Sequence, residues 1–366
     1  MEIVFALWAL TSLGVAVWFV LGISRLPRLP QDTALHPLPK VSMIVPAKDE
    51  ADTLPQALPT WLNQHYPDFE VIVLDDRSTD GTRQYLSAQQ HPKLRTVLID
   101  TLPPGWMGKS HALFQGARQA TGDWLLFVDA DVHLAPDTLA RSVGRADHVT
   151  LLPRLKHSGA WFQAVTSGFA LFFNLYHQPW QAANPRSKQS LGVGAFNLLR
   201  REVYEAIGTH AAFAMAADDD LTLGRRVKAF GFSQAVFWNA GVSVAWYPNA
   251  RALQDGLVKN TYALLKFQPW RAVVGILTLV AFGLHFAMPG YGWTLFWVWF
   301  TVVGLQNRLY GLSPWGGWAL PWVALVFARV VWTSARQRRV VWRNTVYPHP
   351  ETQGFRVKKF TKFHIS

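Results

Sequence analysis

The stretch GDWLLFVDADVHLAPDTL at residues 122–139 has few folds open to it. Residues 124–128 form a short apolar run bounded by Gly122 and Pro136, which predicts a buried strand. The run ends on Asp129 and Asp131, two carboxylates spaced i, i+2. Alternate residues of an extended chain point the same way, so the two can face one ligand. A pair of hard oxygen donors at a strand end suits Mg²⁺ or Mn²⁺, cations that also take phosphate oxygens. Alone, the pair could equally be two solvated acids.

Two further apolar runs lie upstream. Residues 40–47 (KVSMIVPA) lead into Lys48-Asp49-Glu50 and a helical pattern starting near Thr53, and residues 70–76 (EVIVLDD) lead into RSTDGT and another helical pattern. Strand, polar turn and helix repeated in this way predict an α/β array with a parallel sheet over residues 40–140. Ligands of such sheets sit beyond the carboxyl ends of the strands. Polar clusters fall at those ends: Lys48-Asp49-Glu50, Asp75-Asp76 and Asp129-x-Asp131. No G-x-G-x-x-G follows the first strand, which argues against a dinucleotide fold.

With VPAKDE (45–50), VLDDRSTDGT (73–82), GDWLLFVDAD (122–131) and DDLTLGRRVKAFG (219–231) in this order, the chain resembles family 2 glycosyltransferases of the GT-A fold over roughly residues 38–270. The resemblance implies a Rossmann-like nucleotide-sugar-binding domain. It implies that Pro46, Ala47, Glu50 and Asp76, with Asp75 beside them, hold the base and ribose of the donor. Lys48 stands where many relatives carry an aromatic residue that stacks on uracil; the expected donor is a UDP-sugar. The segment GWMGKSHALFQGA (105–117) puts Gly-rich backbone ahead of a helix and adds Lys109, an arrangement suited to a diphosphate or, more simply, a loop with a surface lysine. By the resemblance, Asp131, and Asp129 with it, would place Mg²⁺ or Mn²⁺ on that diphosphate and neutralise the leaving UDP.

The fourth cluster is MAADDDLTLGRRVKAFG (215–231), in which Leu221, Leu223, Val227 and Phe230 give a helical apolar face that Gly231 ends. Acids at a helix start often serve as dipole partners or caps. Three in a row exceed that need, and crowded carboxylates raise at least one pKa, which favours a general base. In the resembling family the second acid of an acid–Asp–x–x–Leu motif deprotonates the acceptor. Alignment on Leu223-Gly224-Arg225 assigns Asp220, with Asp219 as partner; a register one residue earlier assigns Asp219. The Gln-x-x-Arg-Trp of processive members is missing. LQDGLVKNTYALLKF (253–267) stands in its region, with Lys259-Asn260 at the place of the Arg-Trp pair. The variant resembles the membrane glycosyltransferases of hopanoid and carotenoid pathways and implies single-sugar transfer. Lys259 is a diphosphate contact or a helix-surface lysine.

Composition fits a membrane enzyme: half the residues are hydrophobic, there are 18 Trp, and the net charge is +12. Residues 3–23 form an uninterrupted apolar stretch of about the ~20 residues a bilayer requires. Without a basic segment before it or a small-x-small site after it, it reads as an anchor rather than a signal peptide. The basic flank at Arg25 and Arg28 places that end in the cytoplasm. The expected organisation is an anchor at 1–24, a linker at 25–39, a catalytic domain at 40–270, a C-terminal membrane region at 271–335 and a basic cytoplasmic tail at 336–366. Residues 272–288, 293–304 and 315–332 are apolar, and an even number of crossings requires one of them to be re-entrant or interfacial; 293–304 is the candidate. The basic tail includes Arg336, Arg338, Arg339, Arg343, Arg356, Lys358, Lys359 and Lys362.

Residues 161–180 are apolar and aromatic but hold Gln163, Asn174 and His177, which predicts an interfacial helix that feeds a lipid acceptor, or else a buried core helix. Behind it, Gly194, Phe196 and Asn197 are candidates for contact with sugar or acceptor. Cysteine is absent, so disulfides and thiolate metal sites are excluded. The 12 histidines show no H-E-x-x-H pairing. The basic charges cluster beside apolar segments, which points to a membrane surface and away from nucleic acid. The expected protein is an inverting, metal-dependent, non-processive glycosyltransferase of the cell inner membrane, multi-pass, with its catalytic domain cytoplasmic and a lipid as acceptor. A polyprenyl-phosphate glycosyltransferase is the alternative, and a non-catalytic membrane scaffold a more distant one.

Overall fold

The computed structural model describes residues 2–156, 159–238, 241–265, 268–336, 339–342 and 345–348. A long helix, α1 (Glu2–Ser24), comes first. The α/β part follows in the order β1 (Val41–Ala47), α2 (Leu54–Leu62), β2 (Phe69–Asp76), α3 (Thr82–Ser87), β3 (Leu94–Ile99), α4 (Gly108–Gln119), β4 (Trp124–Phe127), β5 (Val132–Leu134), α5 (Thr138–Ser142), β6 (His148–Leu151), β7 (Arg154–Leu155), α6 (Ala160–His177), β8 (Asn197–Arg200), α7 (Arg201–Ala206), α8 (Asp219–Ala229), β9 (Gln234–Phe237) and β10 (Val242–Val244). Four helices close the sequence, α9 (Ala250–Leu264), α10 (Pro269–Leu284), α11 (Gly292–Tyr310) and α12 (Leu320–Arg336), before a hairpin of β11 (Arg339–Trp342) and β12 (Thr345–Pro348).

Seven strands form the main sheet in the order β3-β2-β1-β4-β8-β6-β9. The first four run parallel. These four strands lie within residues 40–140, where the sequence predicts a parallel sheet; β8, beyond that segment, runs antiparallel to both neighbours, so the sheet as a whole is mixed. β8 is only four residues long and returns from the α6 excursion, so no strand–helix alternation announces it. β1 and β2 lie inside the sheet and alternate between two cores. Met43, Val45, Val71 and Val73 face one, and Ile44, Ile72 and Leu74 the other. α4 lies close on β1 and β2 because Gly116 leaves room: a Cβ there would stand 2.4 Å from Ile44. A second sheet of three short strands, β5-β10-β7, continues directly from the end of β4.

The expected linker, residues 25–39, is laid against the α/β part. Leu26 and Leu29 are buried, Arg141 donates to the carbonyls of Leu29 and Pro30, and the Trp238 indole donates to Leu26.

α6 corrects the interfacial reading. Ten of its residues are buried, and it joins the α/β part to the C-terminal helices. Two of its polar side chains, Asn174 and Ser167, find partners across that joint. Asn174 accepts from the Tyr310 hydroxyl at 2.9 Å and donates to Gln306 at 3.2 Å, and the Ser167 hydroxyl accepts from Asn307 at 2.9 Å. Gly168 lets Val323 of α12 approach, since a Cβ would meet it at 2.3 Å. Buried polar groups with partners have no need of the headgroup layer.

By length and composition two helices can cross a bilayer, Glu2–Ser24 and Pro269–Ala287. Both are mostly uncovered by protein, with Ile3, Leu7, Leu10, Val273 and Leu277 exposed. The expected re-entrant segment at 293–304 belongs to the unbroken 19-residue helix α11, which packs on α1 through a Trp299 indole bond to Ser12 of 2.8 Å. Arg336 ends α12. The other tail cations named above have side chains outside the described residues.

Candidate active site

The carboxyl ends of β1, β2 and β4 meet at one edge of the sheet, as parallel pairing requires. At the first two, the backbone turns through left-handed conformations at non-glycine residues, Asp49 with φ 53° and Arg77 with φ 58°. Strain of this kind persists where surrounding bonds over-determine the turn. Here Asp49 accepts from the Thr79 amide at 2.7 Å, and the Glu50 amide donates to the Thr82 hydroxyl at 2.7 Å, which tie the two turns together. Asp75 and Asp76 are both fully buried and both neutralised. Arg83 Nε reaches Asp75 at 2.7 Å, and Arg77 grips Asp76 in a fork of 2.8 and 3.0 Å. Ala47 is buried, and Pro46 lies beside it half-buried. Sequence reasoning missed Arg77 and Arg83, although RSTDGT places the first of them directly after the acids.

A second group stands beyond β4. Lys109, Asp129, Gly194, His210, Asp219 and Asp220 line one cleft. Lys109 Nζ lies 2.7 Å from Asp129 Oδ1 and 3.7 Å from Asp219 Oδ1, so this lysine, at the start of α4, joins the strand end to the start of α8. Gly194 makes the other connection. Its amide donates to Asp220 Oδ2 at 2.8 Å, and its carbonyl accepts from the Asp129 amide at 3.0 Å. A Cβ on Gly194 would stand 2.2 Å from Asp129 Oδ2, so glycine is what allows the contact. The second oxygen of Asp220 accepts from the Leu221 amide at 2.8 Å. Asp218, the third acid of the run, is turned to Arg225 at 2.7 Å and Thr222 at 3.2 Å and serves the helix start.

The electrostatics follow from this crowding. Burial, opposed by Lys109 and reinforced by the neighbouring carboxylates, raises both Asp219 and Asp220 above the usual aspartate range. Burial, then the charges of Asp129 and Glu50, pushes Asp131 up to about 7. Burial alone would lower the Lys109 ammonium; the charges of Asp129, Asp219 and Asp220 outweigh it and hold the group protonated. His210, absent from the sequence reading, stays neutral: burial, with Lys109 adding, pulls it down to about 3, and Tyr204 OH bonds its Nδ1 at 2.8 Å. Nothing in the segment GTHAAF marks that histidine beforehand.

The remaining candidates separate. Asn197 lines the cleft, but its amide is spent on the local turn: Oδ1 accepts from Thr150 and Val193, and Nδ2 donates to Val193. Phe196 is fully buried in the core. Lys259 lies on α9, and its side chain is outside the described residues. Among the described residues no three Asp, Glu or His side chains form a ready-made metal cage. Asp129 and Glu50 both lie near enough to Asp131 to raise its proton affinity.

Residues 42–208 match the family model described as Glycosyl transferase family 2. Over these residues the chain is a family 2 glycosyltransferase domain. It is 26% identical over 191 residues to the 4,4'-diaponeurosporenoate glycosyltransferase of Staphylococcus haemolyticus, a match covering 50% of each chain. It is 33% identical over 114 residues to the succinoglycan biosynthesis protein ExoO of Rhizobium meliloti, covering 31% of this chain and 32% of that one. The chain thus spans about half and about a third of the length of these curated relatives. Among solved structures, a mannosyltransferase from Pyrobaculum calidifontis in complex with GDP-Man and Mn²⁺ aligns over 89% of this chain and 86% of its own, with 22% identity and a TM-score of 0.48.

Proposed function

We propose that the protein transfers one sugar from a nucleotide-sugar, a UDP-sugar by the resemblance of its strand-end motifs, to a hydroxyl of a membrane lipid, with inversion. The observation that carries this reading is the cleft in which Asp129, Lys109, Asp219 and Asp220 converge and the Gly194 backbone bridges Asp129 to Asp220. Pro46, Ala47, Glu50, Asp75 and Asp76 sit at the neighbouring strand ends and would receive base and ribose. Asp129 and Asp131 would hold Mg²⁺ or Mn²⁺ jointly with the diphosphate, and the bound cation would neutralise the departing nucleotide. Lys109 would then meet the same diphosphate from the start of α4.

Transfer is a single displacement. The acceptor oxygen bonds to the anomeric carbon as the bond from that carbon to the phosphate oxygen breaks, and the acceptor proton passes to Asp220. Two backbone amides fix the Asp220 carboxylate and leave lone pairs free for that proton. The lipid acceptor is supported by the exposed apolar faces of α1 and α10, which suit a membrane, and by the match to an enzyme named for 4,4'-diaponeurosporenoate. The location we infer is the inner membrane, multi-pass, with the α/β part on the cytoplasmic side. A polyprenyl-phosphate acceptor is already an anion and needs no base, so a poised Asp220 favours the hydroxyl.

Asp220→Asn keeps the shape of the side chain and removes its basicity. Turnover should fall about 10²–10⁴-fold, with nucleotide affinity unchanged by calorimetry. Normal turnover in Asp220→Asn together with a dead Asp219→Asn would move the base to Asp219.

A further inference from the structure

The three-stranded sheet presents a polar face that the transfer reaction does not use. That face opens on a cleft of about 550 Å³ lined by Arg154, Lys156, Ser243 and Gly311. Strand register places Ser243 between His133 on β5 and Arg154 on β7. The other face of the same strands, Val132, Leu134, Leu155, Val242 and Val244, is buried in the core. The Lys156 amide donates to the Val244 carbonyl at 2.9 Å, which carries the pairing one residue past β7. Arg154 and Lys156 are therefore on the same side of an extended segment, and both are exposed. Among the described residues neither side chain makes an ion pair or a hydrogen bond. Burial, and then the charge of Lys156, lowers the neighbouring His133. Two like charges held side by side, with no acid paired to them among the described residues, make a positive patch that suits an anion.

The position of the cleft says which kind of anion. Gly311 caps the C-terminus of α11 with φ +67°, and a Cβ there would stand 2.7 Å from Arg154 Nε, so the guanidinium lies against the end of that helix. The first half of α11 exposes Trp293 and Trp297, and its last turn carries exposed Arg308. A helix with tryptophans on an apolar stretch and a basic end has that end at the level of lipid headgroups. Attraction to the helix C-terminus accounts for Arg154 alone. It leaves Lys156, Ser243 and the volume of the cleft without a role.

We propose that this cleft binds the phosphate of an anionic phospholipid headgroup, with Arg154 and Lys156 as charged ligands and the Ser243 hydroxyl as donor. The inference goes beyond sugar transfer and does not depend on the identity of donor or acceptor. Because β5 begins one residue after Asp131, a headgroup held here fixes the distance of the acid cleft from the bilayer surface.

The test uses the full chain purified in mild detergent, with native mass spectrometry reading retained lipid. Phosphatidylglycerol and phosphatidylcholine are offered at equal concentration, with inorganic phosphate as a separate arm. The wild type should retain one phosphatidylglycerol more tightly than the others, by about tenfold or more. Arg154→Ala/Lys156→Ala should lose that retention, and Arg154→Lys/Lys156→Arg should keep it, which separates loss of charge from loss of fold. Arg251→Ala/Arg271→Ala, basic positions elsewhere, should retain it as the wild type does. Equal retention of the two lipids, or undiminished phosphatidylglycerol in the double alanine variant, would overturn the proposal. Binding of inorganic phosphate that excludes phosphatidylglycerol would overturn the lipid source and make this a soluble-phosphate site.

Discussion

The two halves of the strand-end edge handle acid in opposite ways. At β2 each buried aspartate has its own guanidinium, Arg83 on Asp75 and Arg77 on Asp76. At β4 and α8, Lys109 contacts Asp129 and Asp219, yet Asp131, Asp219 and Asp220 all keep raised proton affinity. A matched acid is a fixed acceptor of hydrogen bonds and suits a site that recognises a sugar hydroxyl or a base. An under-compensated set stores electrostatic stress that an incoming cation or proton relieves. Under the proposed function, binding would belong to the first half and chemistry to the second, and the difference can be attacked from either side.

The largest effect is expected at the bridge. Gly194→Ala drives a methyl to within 2.2 Å of Asp129 Oδ2, and the strand end must move away from Asp220. Displacements of about 1 Å at reacting groups cost about 10²-fold in rate, so turnover should fall by at least that much while the melting temperature changes little. Wild-type turnover in Gly194→Ala would show that the two acids need not be held in register.

Lys109→Met removes the cation and leaves its carboxylates facing one another. Breaking a well-buried pair costs about 3–5 kcal/mol, but the Asp129 side chain is 37% exposed, and solvent screens part of this. A loss on the order of 1–3 kcal/mol in denaturant unfolding is expected, and added Mn²⁺ should recover part of it. Asp131 supplies an effect that depends on pH. Its folded proton affinity lies near 7 against an unfolded value near 4, so the folded state binds more protons in that window. Without metal, stability should therefore decline as pH rises from about 4 to about 7, and Asp131→Asn should flatten the slope. A slope of opposite sign would mean that Asp131 is already neutralised by a partner.

These contrasts mark what the sequence could tell. β1, β2 and β4 are legible because each is an apolar run stopped by acids, and α8 because its apolar positions repeat at helical spacing. β3 escapes: LRTVLI is a half-exposed edge strand whose pattern is weak. The two- and three-residue strands β7, β5 and β10 carry too few residues for any period to appear. Gly194 was legible as a position near the site, but its bridging of two acids depends on a contact 26 residues away in sequence. α6 was misplaced for the same reason. Asn174 looks costly for a buried helix until Gln306 and Tyr310, more than 130 residues later, are seen to satisfy it. His210 is a lone histidine in a turn, and only folding brings it to the cleft.

The smallest effect should come from the matched half. Arg83 is 40% exposed and splits its fork between Asp75 at 2.7 Å and Asp100 at 3.0 Å. Solvent screens the arginine end of both pairs and the long side chain loses freedom in holding them, but the Asp75 carboxylate is fully buried and would be left without a charged partner. Arg83→Ala should therefore lower stability in denaturant unfolding slightly, by less than Lys109→Met does, and weaken nucleotide affinity by about two- to fivefold, as Asp75 loses the group that orients it. Turnover at saturating donor should be that of the wild type, since Asp220 and Lys109 are untouched. The measurement is a paired one, nucleotide titration calorimetry beside turnover at saturation. If Arg83→Ala lowers saturated turnover as far as Lys109→Met does, the division into a recognising half and a reacting half is wrong, and the whole edge must act as one electrostatic unit.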